Sequence, residues 1–174
     1  MTKEKYNLIL DVDSYKVTHF NQYPQNTKKL YAYIEARNLN SEELIFFGLQ
    51  AFVKKYLLNP ITQDDIDEAE KFLLSHIGVF NRDDWEYILN EHGGFLPIEI
   101  KSLDEGTVTN KKIPLLDITN TDEKVPWLVT YIETALLRSL WYPSSVATIS
   151  REIKKIIFRY LDDTCTNFDD QLPF

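Results

Sequence analysis

The chain has 174 residues, 44% of them hydrophobic and 13% aromatic, with a formal net charge of −8, which is enough for one medium domain with its own core and excludes a disordered chain. That acidic balance excludes general electrostatic binding to nucleic acid, and no apolar run approaches the roughly 20 residues that span a bilayer. With no signal-peptide pattern, a single cysteine (Cys165) and no histidines at ligand spacing, a cytoplasmic protein without a metal site is expected.

Tyr6 to Val12 is a short apolar run ending in Asp13-Ser14. It predicts a buried strand, with Asp13 or Ser14 capping a helix over Lys16 to Gln22 that stops before Pro24. Leu30 to Arg37 alternates, with Leu30, Ala32, Ile34 and Ala36 on one face and Tyr31, Tyr33, Glu35 and Arg37 on the other, the period of a strand. Ser41 is expected to open an amphipathic helix through Leu58, ended by Pro60. Thr62 to Asp65 resembles a capping box at the head of a helix carrying Ile66, Ala69, Phe72 and Leu73. Asn81 caps a shorter helix with Trp85, Ile88 and Leu89, closed by His92-Gly93-Gly94. Leu96 to Leu103, Thr107 to Asn110 and Pro114 to Thr119 read as strands, with a turn at Asp104-Glu105-Gly106. Val125 to Trp141 reads as an apolar helix that Pro143 breaks. Ser144 or Ser145 then starts a last helix through Leu161, before a polar, turn-like tail from Asp162 to Phe174. The expected organisation is an α/β domain over 1–143, followed by a helix and tail over 144–174.

Few side chains suggest chemistry on their own. Asp13 and Tyr15 fall at a strand-to-helix junction, where a site can open; a helix cap and a half-buried aromatic are the plainer reading of the residues alone. Arg37 ends a strand beside Glu35, with Tyr31 and Tyr33 on its face. It reads either as a clamp for phosphate or carboxylate, or as a surface arginine stacked on tyrosine. His19 suits a general base or a solvent-facing position, while His76 and His92 adjoin helix ends. No serine has a nucleophile-elbow setting, and Cys165 has no base beside it. Arg151, Lys155 and Arg159 form a basic stripe on the last helix that reads as a solvated face, supported by Glu152. No catalytic residue emerges.

Ordered blocks add what composition cannot. They run Asp13-Ser14-Tyr15-Lys16-Val17-Thr18-His19, Gln22-Tyr23-Pro24, Tyr33-Ile34-Glu35-Ala36-Arg37, Phe47-Gly48-Leu49-Gln50 and Leu96-Pro97-Ile98-Glu99-Ile100-Lys101. Asn120-Thr121-Asp122, Trp127-Leu128, Ile132-Glu133-Thr134, Trp141-Tyr142-Pro143, Val146-Ala147-Thr148 and Ser150-Arg151-Glu152 complete them. In order and spacing they resemble nicotinamide phosphoribosyltransferases over nearly the whole chain.

The resemblance implies the N-terminal α/β domain of a type II phosphoribosyltransferase, a mixed sheet flanked by helices, lacking the (β/α) barrel that packs beside it. It implies a pentosyltransferase of NAD biosynthesis, which forms nicotinamide mononucleotide and pyrophosphate from nicotinamide and phosphoribosyl pyrophosphate. It implies a homodimer with sites at the interface, and Mg²⁺ and ATP for the complete enzyme but none on this chain. Tyr15 matches the tyrosine that stacks on nicotinamide. Asp13 matches a carboxylate that favours amide over acid, and Arg37 an arginine that binds phosphate across the interface; His19 stays structural. The family's His-Asp-Phe-Gly-like motif and barrel would follow Leu172-Pro173-Phe174. The chain is therefore expected to bind weakly and turn over negligibly without a barrel-bearing partner, or else to be a non-catalytic truncated remnant or association domain. Apolar surface is expected around Leu136, Leu140, Ile153 and Phe174, where the barrel would pack.

Overall fold

The period-two pattern at Leu30 to Arg37 does make a strand. In the computed structural model, which describes residues 6–37 and 42–166, β1 (Tyr31–Glu35) pairs with β5 (Pro114–Asn120), and β5 with β3 (Ile98–Ser102), in the order β1-β5-β3. The register sets Ala32 and Ile100 opposite Ile118, and Ile34 opposite Leu116. One face of the sheet is therefore continuously aliphatic. It packs on Val129 of α4 (Leu128–Tyr131) and on Leu136 and Leu140 of α5 (Glu133–Thr164). β2 (Glu43–Ile45) and β4 (Val108–Asn110) form a separate ribbon. Every pairing among the described residues is antiparallel, so the α/β class holds while the sheet is not of mixed direction.

The capping box is as read. Thr62 accepts from the Asp65 backbone N–H, Asp65 accepts from the Thr62 N–H, and α2 (Gln63–His76) follows. Its Ile66, Ala69 and Leu73 pack with Trp85 and Ile88 of α3 (Arg82–Glu91) and with Trp127 and Tyr131 in a second core. Trp85, Trp127 and Tyr131 meet edge to face, with centroids 5.0–5.3 Å apart, the arrangement their ring quadrupoles favour. Leu96 and Ile98 pack against both cores.

Three expectations change. Tyr6 to Val12 is not a strand. It contains a 3₁₀ turn at Leu8–Leu10, capped by Asn7, whose side chain accepts the Ile9 N–H; so short an apolar run does not distinguish buried strand from buried turn. Ser41 to Leu58 is not one helix either. Leu44 and Phe46 are buried at period two, giving β2, and Gly48 at φ 114° opens α1 (Leu49–Phe52), which widens into a π turn through Leu57.

Pro143 does not break the last helix, because α5 runs through it, and Ser144 and Ser145 lie inside the helix rather than at a cap. Pro143 has no N–H for the Ser139 carbonyl four residues back. The backbone of Gly48 lies against that carbonyl: a Cβ on Gly48 would stand 2.1 Å from it. Beyond the proline, Ser144 Oγ accepts the Phe47 N–H and donates to the Phe47 carbonyl, both at 3.0 Å, while Thr148 Oγ accepts the Ile45 N–H at 2.9 Å. Helix hydroxyls thus hydrogen-bond the β2 segment and hold α5 where a proline would otherwise weaken it. The helix continues to Thr164, beyond the expected end, and residues 167–174 lie outside the described residues. Among the described residues no helix is long and apolar enough to cross a membrane.

The exit from β5 is fixed by side chains. Asn120 accepts the Leu30 N–H and donates to the carbonyls of Lys28 and Asp122. The Asp122 carboxylate accepts the Lys124 N–H, the Tyr87 hydroxyl and a His92 ring nitrogen, each at 2.8 Å. These donors, the Lys124 N–H foremost, hold Asp122 below the usual carboxylate range.

Two predictions follow from these anchors. Gly48→Ala needs both a positive φ and a shift of the Ser139 carbonyl, so it should cost at least ~2 kcal/mol in urea unfolding. Asp122 has a lowered folded-state pKa, so its contribution is complete above the unfolded value of about 3.9 and is lost as pH falls through the folded value. Asp122→Asn should therefore cost about 1–2 kcal/mol at neutral pH, with the gap to the parent closing on acidification.

Candidate functional site

The 3₁₀ helix Ser14–Asn21 begins with Asp13 in extended conformation, yet the Asp13 side chain does not cap it. Instead Asp13 Oδ2 accepts the Thr134 hydroxyl at 2.8 Å, and the Asp13 N–H donates to Thr134 Oγ1 at 3.3 Å. The expected cap is a tertiary tether to the first turn of α5. The neighbouring residue of that turn, Glu133, pairs with the ammonium of Lys16, whose Nζ also lies 3.9 Å from Asp13 Oδ2. Lys16 is only 4% exposed. Burial lowers its pKa, and the Asp13 charge opposes that shift.

Between these two anchored residues stands Tyr15, 61% exposed. Its ring meets His19 edge-on at 5.3 Å and lies 5.7 Å from Lys16 Nζ. His19 is half-buried against it, which fits a structural histidine. Two further bonds fix the segment: the Tyr23 hydroxyl with Thr130 Oγ1 at 2.5 Å, and Ser14 Oγ with His76 Nε2 at 2.8 Å. The turn therefore presents a flat ring beside a carboxylate, on a base tied to α2, α4 and α5.

Arg37 is exposed just beyond β1 and lines a cavity of about 780 Å³ with Tyr31, Tyr33, Glu133, Leu137 and Trp141. Asp13 and Tyr15 do not line it. The structure thus brings Asp13 and Tyr15 together on one turn and sets Arg37 on another element, with Glu133 common to the cavity and the Lys16 pair. Among the described residues no group of three His, Cys, Asp or Glu side chains could hold a metal ion.

Lys16, Glu133 and Thr134 carry no role in the sequence reading. All three fall inside its ordered blocks, but a contact across 121 positions leaves no mark on local periodicity.

The basic stripe of α5 is not simply solvated. Arg151 reaches Glu43 at 2.8 Å and Glu152 at 3.1 Å, and Lys155 reaches Glu152 at 2.8 Å. The opposite arrangement holds for its apolar residues. Tyr142, Val146, Ile149, Ile153, Ile156 and Tyr160 are all exposed, spaced alternately by four and three so that they form one apolar seam along the helix. Of the surface expected from sequence, Ile153 is exposed, Leu136 and Leu140 are buried in the sheet core, and Phe174 lies outside the described residues.

Comparison with known proteins supplies the family context. Residues 7–100 match the family described as nicotinamide phosphoribosyltransferase, N-terminal domain. A nicotinamide phosphoribosyltransferase of Xanthomonas campestris is 41% identical over 97% of this chain and 36% of its own length. One from Acinetobacter baylyi is 30% identical over 95% of this chain and 36% of its own length. This chain therefore spans about a third of the length of those curated relatives. Among solved structures, human nicotinic acid phosphoribosyltransferase superposes with a TM-score of 0.56 and 21% identity, over 78% of this chain and 26% of that one. At that identity the likeness is one of fold.

The tether predicts a local effect. Thr134→Val keeps the shape and removes the hydroxyl that holds Asp13. It should cost about 1 kcal/mol locally, seen as roughly fivefold faster hydrogen exchange at the Asp13 amide, with global unfolding nearly unchanged.

Proposed function

Because the chain belongs to the nicotinamide phosphoribosyltransferase family, we propose that it supplies the base-binding part of an enzyme that joins nicotinamide to phosphoribosyl pyrophosphate, releasing nicotinamide mononucleotide and pyrophosphate in NAD biosynthesis. The observation that carries this reading is the exposed Tyr15 ring beside the tethered Asp13 carboxylate.

An electron-rich ring suits a pyridine that becomes cationic in the product. Both described contacts of the Asp13 carboxylate fall on Oδ2. Its other oxygen is assigned to the carboxamide N–H of nicotinamide, and the same charge repels a nicotinate carboxylate. Arg37, on the cavity at the end of β1, is assigned to a phosphate across a dimer interface.

Glycosyl transfer has a charged, dissociative transition state and depends on preorganised electrostatics. In this reading the groups that meet ribose, pyrophosphate, Mg²⁺ and ATP lie on a barrel outside these residues, whose own work is to bind and orient the base. The unit over 144–174 is assigned to the junction with that barrel, its exposed seam from Val146 to Tyr160 being the face to be covered. The assembly is a homodimer or a complex with the barrel-bearing chain, in the cytoplasm. The same seam also favours a second reading, a non-catalytic association domain.

Mixing the full chain with a polypeptide that supplies the remaining length of the Xanthomonas relative separates the two. The expected result is nicotinamide mononucleotide formation, cut at least about tenfold by Tyr15→Ala, with Asp13→Asn narrowing the preference for nicotinamide over nicotinate. A stable complex that makes no product would leave the association reading.

A further inference from the structure

We propose that Lys16 is a positioning residue of the base site, its buried ammonium bridging Glu133 and Asp13 so that the carboxylate and the Tyr15 ring are held in one geometry. This inference rests on the nicotinamide-binding reading above and deepens it.

Lysine is almost never fully buried unless paired, and Lys16 is 4% exposed beside the buried Val17. An apolar side chain would fill that place without the desolvation cost of a charge, so its chemistry is used for something other than filling. The geometry indicates what. Two consecutive residues of α5, Glu133 and Thr134, hold two residues of the turn, Lys16 and Asp13. Lys16 Nζ closes the quadrilateral at 3.9 Å from the same Asp13 oxygen that takes the Thr134 hydroxyl. Tyr15 is the exposed aromatic ring between the fixed corners. Thr134 gives the Asp13 carboxylate a hydrogen bond from an uncharged donor; Lys16, at 3.9 Å, adds a coulombic attraction that favours the same orientation. Glu133 balances that charge, so Asp13 keeps a net negative environment toward an amide donor.

The test uses the isotope-labelled full chain, titrated with nicotinamide and followed by NMR at the Asp13 and Tyr15 amides. In Lys16→Met the dissociation constant should rise about tenfold, and in Lys16→Arg, which keeps the charge, it should return to within about threefold of the parent. The Trp85 and Trp127 indole signals report the second core and should not move. Equal binding by the Met variant and the parent would overturn the proposal, and so would equal losses in the Met and Arg variants, which would point to packing. If the Met variant loses its indole signals, Glu133→Gln reads the same pair from a half-exposed position. It should weaken binding about threefold, and parent-like binding there would overturn the proposal. A parent chain whose Asp13 and Tyr15 signals ignore nicotinamide overturns the base-site reading itself, and this inference with it; that result is distinct from parent binding that Lys16 does not affect.

Discussion

The carbonyl of Ser139 governs how this chain is put together. It lacks the ordinary donor four residues on, where Pro143 stands, and it lies where only a glycine can pass, at Gly48. That close approach, with Ser144 and Thr148 bonded to the β2 segment, keeps α5 helical across a residue that ordinarily ends a helix. A 32-residue helix at about 1.5 Å per residue spans roughly 48 Å. One element therefore carries both the tether of Asp13 at its first turn and the exposed seam along its later half.

The site forms where the two cores meet. Val129 and Ile132 belong to the sheet core, whereas Leu128 and Tyr131 belong to the tryptophan core. Glu133 and Thr134 come directly after. Val17, next to Lys16, is in the tryptophan core as well. Each anchor of the turn is thus backed by well-packed apolar residues, and this is how an exposed ring and carboxylate can hold a defined geometry without being buried themselves.

Much of this was legible in the sequence wherever pattern is local. The capping box at Thr62, the alternation at Tyr31 to Glu35 and the strand at Pro114 to Asn120 depend on residues within a few positions of one another. Three of the misses share one cause. Whether Pro143 ends a helix depends on Gly48, and whether Ile45 sits in a strand depends on the Thr148 hydroxyl about a hundred residues away. Asp13 looked like a cap because caps are local, while its actual partner, Thr134, is 121 positions on. Asp13 and Tyr15 themselves could be singled out only through the family resemblance, since no periodicity marks an exposed ring or a carboxylate whose partner lies far along the chain.

The polarity of α5 runs against that of an ordinary surface helix, which buries its apolar face and exposes its charges. Here Arg151 and Lys155 turn back onto Glu43 and Glu152, while Val146, Ile149, Ile153 and Ile156 face outward. The ion pairs act with the buried Leu136, Leu140, Ser144 and Thr148 contacts in one rotation of the helix, and that rotation points the seam outward. Partly exposed ion pairs contribute little to stability, so their value here is orientational. Covering the seam would remove apolar surface from water and restrain the same helix whose first turn holds Asp13 and Lys16. A partner docked along the seam would thus contact the one continuous helix whose first turn also anchors the Asp13–Lys16 turn.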